Sequence, residues 1–153
     1  VIDERKETDR SLVGAWTKRC YFAGRAVMDS RLRPYDLGSV QWYVLYQLAT
    51  AGPTMQRDLA RLLSIERATM TGIVATLVRK GLIEQEPDQV DQRQKLLRIT
   101  ATGAKLWGEL PDFSFIRSVA FEGIDEADIA IAVRVLQTAT ERLENLLQKG
   151  NYP

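Results

Sequence analysis

Residues 57–85 read RDLARLLSIERATMTGIVATLVRKGLIEQ, and residues 91–100 read DQRQKLLRIT. The first stretch holds two helical patterns separated by a tight turn. Met55, Leu59, Leu62 and Leu63 share one face of a short helix that Thr54 is placed to cap. A turn around Ser64 and Ile65 follows, without the glycine often found there. The next helix, from Glu66 to Lys80, is closed by Gly81 as a left-handed C-terminal residue. Two short helices joined this way form a helix-turn-helix. After Gly81 the apolar period changes. LIEQE runs up to Pro87, the polar loop DQVDQR follows, and KLLRIT returns. Two short strands around a charged loop make a β-hairpin. A hairpin directly after a helix-turn-helix is the winged-helix arrangement.

The flanks are helical as well. Residues 9–32 carry Leu12, Trp16, Cys20, Ala23 and Val27 as one apolar stripe, and Pro34 ends that helix. A second helix is expected from about Ser39, read as its N-cap, through VQWYVLYQLA to Gly52-Pro53. Beyond the hairpin, Thr100 or Thr102 caps a fifth helix, which Pro111 should kink or break. A sixth starts at Asp125, with acids in its first turn where the helix dipole favours them. Its apolar set is Ile129, Val133, Leu136, Leu143 and Leu147, and Gly150 ends it. The expected fold class is mainly α with a small β-hairpin wing. Residues 38–101 would form a winged helix-turn-helix lobe, and residues 1–37 with 102–153 a second, helical lobe.

A helical wheel of the segment from Glu66 to Lys80 puts Met70, Ile73, Val74 and Leu77 on the inward face. Ala68, Gly72, Ala75 and Arg79 lie opposite, flanked by Thr69, Thr71 and Thr76. Ordinary surface helices carry long charged side chains. This face is small and hydroxylated, so its backbone can approach a partner such as the floor of a DNA major groove. Hydroxyls bond base edges or phosphates, and a thymine methyl packs on Ala or a Thr methyl. Gly72 costs roughly 1 kcal/mol of helix propensity relative to alanine, and close approach gives a reason for it. The competing reading is that the helix packs on the protein's own body. The wing that follows favours DNA, with Arg67 and Lys95 adding cations beside the groove-facing set.

At the wing tip, Arg93 suits the narrow, negative minor groove. Asp91 can orient it through charge-assisted hydrogen bonds. Taken alone, a charged hairpin tip is more often simply solvated.

Composition removes other classes. The chain has 153 residues, no histidine and one cysteine, which excludes a Ser-His-Asp or Cys-His catalytic group and the usual structural zinc site. No metal, cofactor or enzyme activity is expected. Cys20 has no intrachain partner, which fits a reducing compartment. No apolar run approaches a membrane span, and the start VIDERKETDR lacks a signal-peptide core, so a cytoplasmic protein is expected. Net charge is +1, made of +2 over residues 1–53, +2 over 54–100 and −3 over 101–153. The basic excess in the winged segment is slight, so patches rather than total charge must carry any nucleic-acid contact.

The chain resembles the MarR (multiple antibiotic resistance regulator) family of winged-helix transcription factors. The likeness covers about residues 31–106. It rests on the wing pattern D-x-R, then a strand ending Leu/Ile-Thr (here DQRQKLLRIT), with ATGAKL opening the next helix. The preceding helix-turn-helix with its exit LVRKGLI fits as well. All of these in order are a specific signal. The resemblance implies a homodimer on a pseudo-palindromic double-stranded operator, its first, fifth and sixth helices pairing across a two-fold axis. It also implies repression relieved by a small, often phenolic or aromatic effector. Thr69, Thr71, Asp91 and Arg93 carry over as DNA contacts. Two positions depart from the family pattern: Glu66 stands where many members have serine, and Gly72 where many have a long residue. Base preference therefore does not transfer.

Aromatic residues gather on the first two helices, and Trp16, Arg19, Trp42 and Tyr46 are the candidate effector wall. The alternative is ordinary core and dimer packing. One branch of the family senses organic hydroperoxides through a first-helix cysteine, which makes Cys20 a candidate redox residue. Its place on the apolar stripe favours a buried, inert thiol. A winged helix used only for protein contacts is the remaining alternative.

Overall fold

The computed structural model describes the backbone of residues 2–150 and the side chains of residues 6–150. Among the described residues there are two compact units, the first ending at residue 113 and the second beginning at residue 114.

In the first unit, helix α1 (Ile2–Leu32) leads into a 3-10 turn (Arg33–Tyr35) at Pro34. Helix α2 (Ser39–Ala51), strand β1 (Thr54–Met55), helix α3 (Gln56–Leu62) and helix α4 (Arg67–Arg79) follow. Strands β2 (Ile83–Pro87) and β3 (Lys95–Ile99) form the hairpin, and helix α5 (Ala101–Glu109) leaves it. The sheet is antiparallel with order β1-β3-β2, and its register pairs Ile83 with Ile99 and Pro87 with Lys95. Strand β1 is an addition to the expected hairpin. Thr54 pairs with Leu97 and Met55 with Leu96, so the return strand is central.

One core holds this unit together. Leu32, Val44, Leu45, Leu48, Leu59, Met70, Val74, Leu77, Ile83 and Leu97 are buried. Residues 70, 74 and 77 are the inward face of α4, as the wheel requires; Ile73 is half-buried at its margin.

Three expected details differ. Gly38, not Ser39, is the N-cap of α2. Ser39 is the first helical residue and is buried; its N–H donates to Asp29 Oδ1 at 2.7 Å and its Oγ accepts from Arg25 Nε at 3.1 Å. A carboxylate reaching back from α1 thus does the capping. Thr54 does not cap α3, because it lies in β1 and its hydroxyl donates to the Gly52 carbonyl; Met55 precedes the helix without a side-chain cap. Leu62 does not join the buried face and is exposed, since α3 ends at it and only Leu59 reaches the core.

The turn between α3 and α4 solves its missing glycine with Ser64 in the left-handed region, φ 52°. Its geometry is closed by Ile65 N–H to the Ala60 carbonyl at 2.9 Å.

Gly103, on the first turn of α5, has a different constraint. A Cβ there would lie 2.0 Å from the Leu82 carbonyl oxygen and 2.8 Å from Ile99 Cγ1. Only glycine lets α5 lie against the foot of the wing. Thr100 completes the junction: it accepts from Gly103 N–H at 3.0 Å and donates to the Gly81 carbonyl at 2.6 Å. The threonine that ends the return strand therefore both caps α5 and ties it to the exit of α4.

The expected break at Pro111 follows the end of α5, and the second unit opens with helix α6 (Ser114–Phe121). Helix α7 (Glu126–Lys149) is capped by Asp125, which accepts from Ala127 N–H, and ends at left-handed Gly150. Neither helix contains a buried residue.

Candidate nucleic-acid interface

Helix α4 turns Arg67, Ala68, Thr69, Thr71, Gly72, Ala75 and Arg79 outward, all exposed, with Thr76 half-buried. No Cβ clash would arise at Gly72, so its smallness matches an open face and not packing against the chain's own body. The threonine hydroxyls are oriented locally. Thr71 Oγ1 donates to the Arg67 carbonyl at 3.0 Å and Thr76 Oγ1 to the Gly72 carbonyl at 3.1 Å. Arg79 Nη2 donates to Thr76 Oγ1 at 3.1 Å, which holds the guanidinium along the face. Glu66 is the exposed residue before the helix and makes no side-chain cap bond.

The wing tip is ordered by two carboxylates. Asp88 Oδ2 accepts from Asp91 N–H at 3.0 Å and Val90 N–H at 3.3 Å. Asp91 Oδ1 accepts from Arg93 N–H at 3.1 Å and from Arg93 Nε at 3.3 Å. The Arg93 side chain is 91% exposed, so the acid aims it without hiding it. Lys95 starts β3 one step below, and Arg98 Nε binds Glu86 Oε1 at 2.7 Å across the stem. Asp91 thus has the expected orienting geometry.

Two links from α4 escaped the sequence. On one flank Gln56 Nε2 reaches Thr71 Oγ1 and Gln85 Nε2 reaches Gln56 Oε1. On the other, Lys80 bonds the Asp36 carbonyl and lies 3.3 Å from the Asp36 carboxylate. A cleft of about 720 Å³ opens there, lined by Arg25, Arg33, Thr69 and Ile73 among others. Each link joins residues at least 15 positions apart, and no local pattern signals such pairs.

The candidate effector residues fall into two pairs. Trp42 stacks on Tyr46 at 5.4 Å and 17°, and Trp107 and Phe113 approach Trp42 at 5.3 and 5.4 Å. The Trp42 Nε1–H is buried without a hydrogen-bond acceptor. On α1, Arg19 lies 5.1 Å from the Trp16 ring centroid, and Trp16 is 60% exposed. Cys20 departs from the expected burial and is exposed. The stripe it belongs to, including Leu12, Trp16 and Val27, faces outward, while α1 enters the core through Met28 and Leu32.

A three-stranded sheet beside a helix-turn-helix with an open recognition face defines the winged-helix fold. A MarR-family model matches residues 35–94. The chain is similar to the HTH-type transcriptional repressor NicR of Pseudomonas putida, 30% identical over 61% of this chain and 60% of that one. Among solved structures, it is similar to BpsR of Bordetella bronchiseptica, whose DNA binding is regulated by 6-hydroxynicotinic acid. That match has a TM-score of 0.71 and 25% identity, and covers 84% of this chain and 98% of that one. The S. aureus MepR–DNA complex shares the fold, with a TM-score of 0.75, 22% identity and coverage of 84% and 96%. The family match thus covers residues 35–94, the helix-turn-helix and most of the wing. The chain spans about 60% of the length of the curated relatives it matches, which are described as HTH-type transcription regulators. Among the described residues no helix is long and apolar enough to cross a membrane.

Proposed function

We propose that this chain represses transcription by binding a pseudo-palindromic double-stranded operator as a homodimer and leaves the DNA when a small aromatic acid binds. The open, small-residue face of α4, set beside an Arg93 that Asp91 aims outward, carries this reading. Helix α4 enters the major groove with Ala68, Thr69, Thr71, Gly72, Ala75 and Thr76 at base edges. Arg67, Arg79 and Lys95 meet phosphates, and Arg93 enters the adjoining minor groove. Residues 1–37 and 102–153 form the dimerisation lobe. Its apolar faces, Leu12 and Trp16 on α1 and Leu143 and Leu147 on α7, are covered by the second copy.

The effector lies at the Trp42–Tyr46 stack, beside Trp107 and Phe113, while Trp16 and Arg19 form a separate pair on α1. The buried Trp42 Nε1–H supports this, because a donor without an acceptor is costly and a ligand carboxylate or phenol oxygen would relieve it. Both BpsR, regulated by a hydroxylated pyridine carboxylic acid, and the aromatic stack favour that chemistry.

A gel shift with the promoter beside the chain's own gene tests the reading. The expected result is a salt-sensitive complex that an aromatic carboxylate dissolves. No shift with any duplex at low ionic strength would leave a protein-contact module instead.

A further inference from the structure

We propose that Gln56 is a positioning residue that sets the hydrogen-bond polarity of Thr71, so that Thr71 selects a base offering an amino group. The inference rests on the reading that α4 lies in the major groove. A threonine hydroxyl has one proton and two lone pairs. Thr71 spends its proton on the Arg67 carbonyl, 3.0 Å away. One lone pair accepts from Gln56 Nε2 at 3.4 Å. What remains toward the groove is one lone pair and a methyl group, with no donor.

Gln56 alone could present either end of its amide. In the structure Gln85 Nε2 donates to Gln56 Oε1 at 2.7 Å and the Gln56 NH₂ faces Thr71. Gln56 opens α3, Gln85 lies on β2 opposite Leu97, and Thr71 is on α4. The three side chains run from the wing stem to the recognition face, and only the last points a group at DNA.

The consequence is chemical. Adenine N6 and cytosine N4 are the major-groove donors; guanine O6 and N7 and thymine O4 are acceptors. Thr71 as fixed here accepts from an amine and repels a guanine edge. Without Gln56 the hydroxyl rotor is released. Its proton can then turn from Arg67 to a base acceptor, and the preference fades.

The test uses synthetic duplexes carrying all four base pairs at each position of a footprinted half-site. Affinities are compared for the native chain, Gln56→Ala, Gln85→Ala, Thr71→Val and the Gln56→Ala/Thr71→Val double variant. Melting curves confirm that each is folded. The native chain should favour one amine-bearing base over guanine by about fivefold at a single step in each half-site, the scale of one hydrogen bond. Gln56→Ala should bring that ratio close to one while leaving the other steps and the salt slope as they were. Gln85→Ala should act in the same direction and less strongly. The double variant should lose no more selectivity than Thr71→Val. A selective native chain whose profile survives Gln56→Ala overturns the inference and spares the DNA reading. So do two substitutions whose effects simply add. A native chain that binds no duplex overturns the DNA reading, and this inference with it.

Discussion

The first unit and helix α7 treat their apolar side chains in opposite ways. In the first unit, Leu59, Met70, Leu77 and Leu97 are completely buried. Along α7, Val133, Leu136, Leu143 and Leu147 are at an ordinary helical spacing, and all are exposed. The first set closes a core within one chain. The second has the same amphipathic logic, and the surface that would complete it is proposed to be another copy. Stability of the two regions should therefore respond differently to dilution.

Leu77→Ala breaks the first region most. Removing a completely buried leucine costs about 2–5 kcal/mol. Chemical denaturation should show the loss at every protein concentration. Leu143→Asp sharpens the contrast: it should promote dissociation by at least about tenfold, on the scale of a charge stranded in an apolar interface, and denaturation should become more concentration-dependent. Equal behaviour of the two variants on dilution would erase the distinction.

Gly103→Ala probes the seam inside the first unit, where α5 meets the wing. The Leu82 carbonyl leaves no room for a methyl, so overpacking should cost roughly 1–3 kcal/mol in the same assay. A melting temperature equal to the native one would contradict the contact. Arg93→Ala should leave stability alone, weaken operator binding, and lower the salt slope by about one, because one cation leaves the groove. Anisotropy titrations over a range of salt read both quantities. The smallest effect belongs to Ser64→Gly. Relief of a left-handed serine should gain about 0.5–1 kcal/mol, less the chain entropy that glycine adds.

The same contrast explains what the residues disclosed on their own. The recognition helix was legible because Met70, Val74 and Leu77 repeat at helical spacing and a glycine closes the helix. The wing was legible from its change of period and its charged loop, and Thr100 from its place before ATGAKL. Strand β1 was not, because two residues establish no period. The capping of α2 by Asp29 was not, because the carboxylate comes from ten residues away and Ser39 was the better local candidate. Gln56 and Gln85 looked like ordinary surface glutamines, since only the folded sheet brings them together. Cys20 was misjudged for a related reason: an apolar stripe marks a face that seeks cover, without saying whether its own chain supplies it.

Hydroxyl-radical footprinting on a bound operator tests the central claim most directly. Two copies, each with α4 in a major groove and Arg93 in the neighbouring minor groove, should protect two symmetric patches about one helical turn, ~10 bp, between centres. The minor-groove protection should disappear selectively with Arg93→Ala. A single patch without dyad symmetry, or a pattern unaltered by that substitution, would contradict the account.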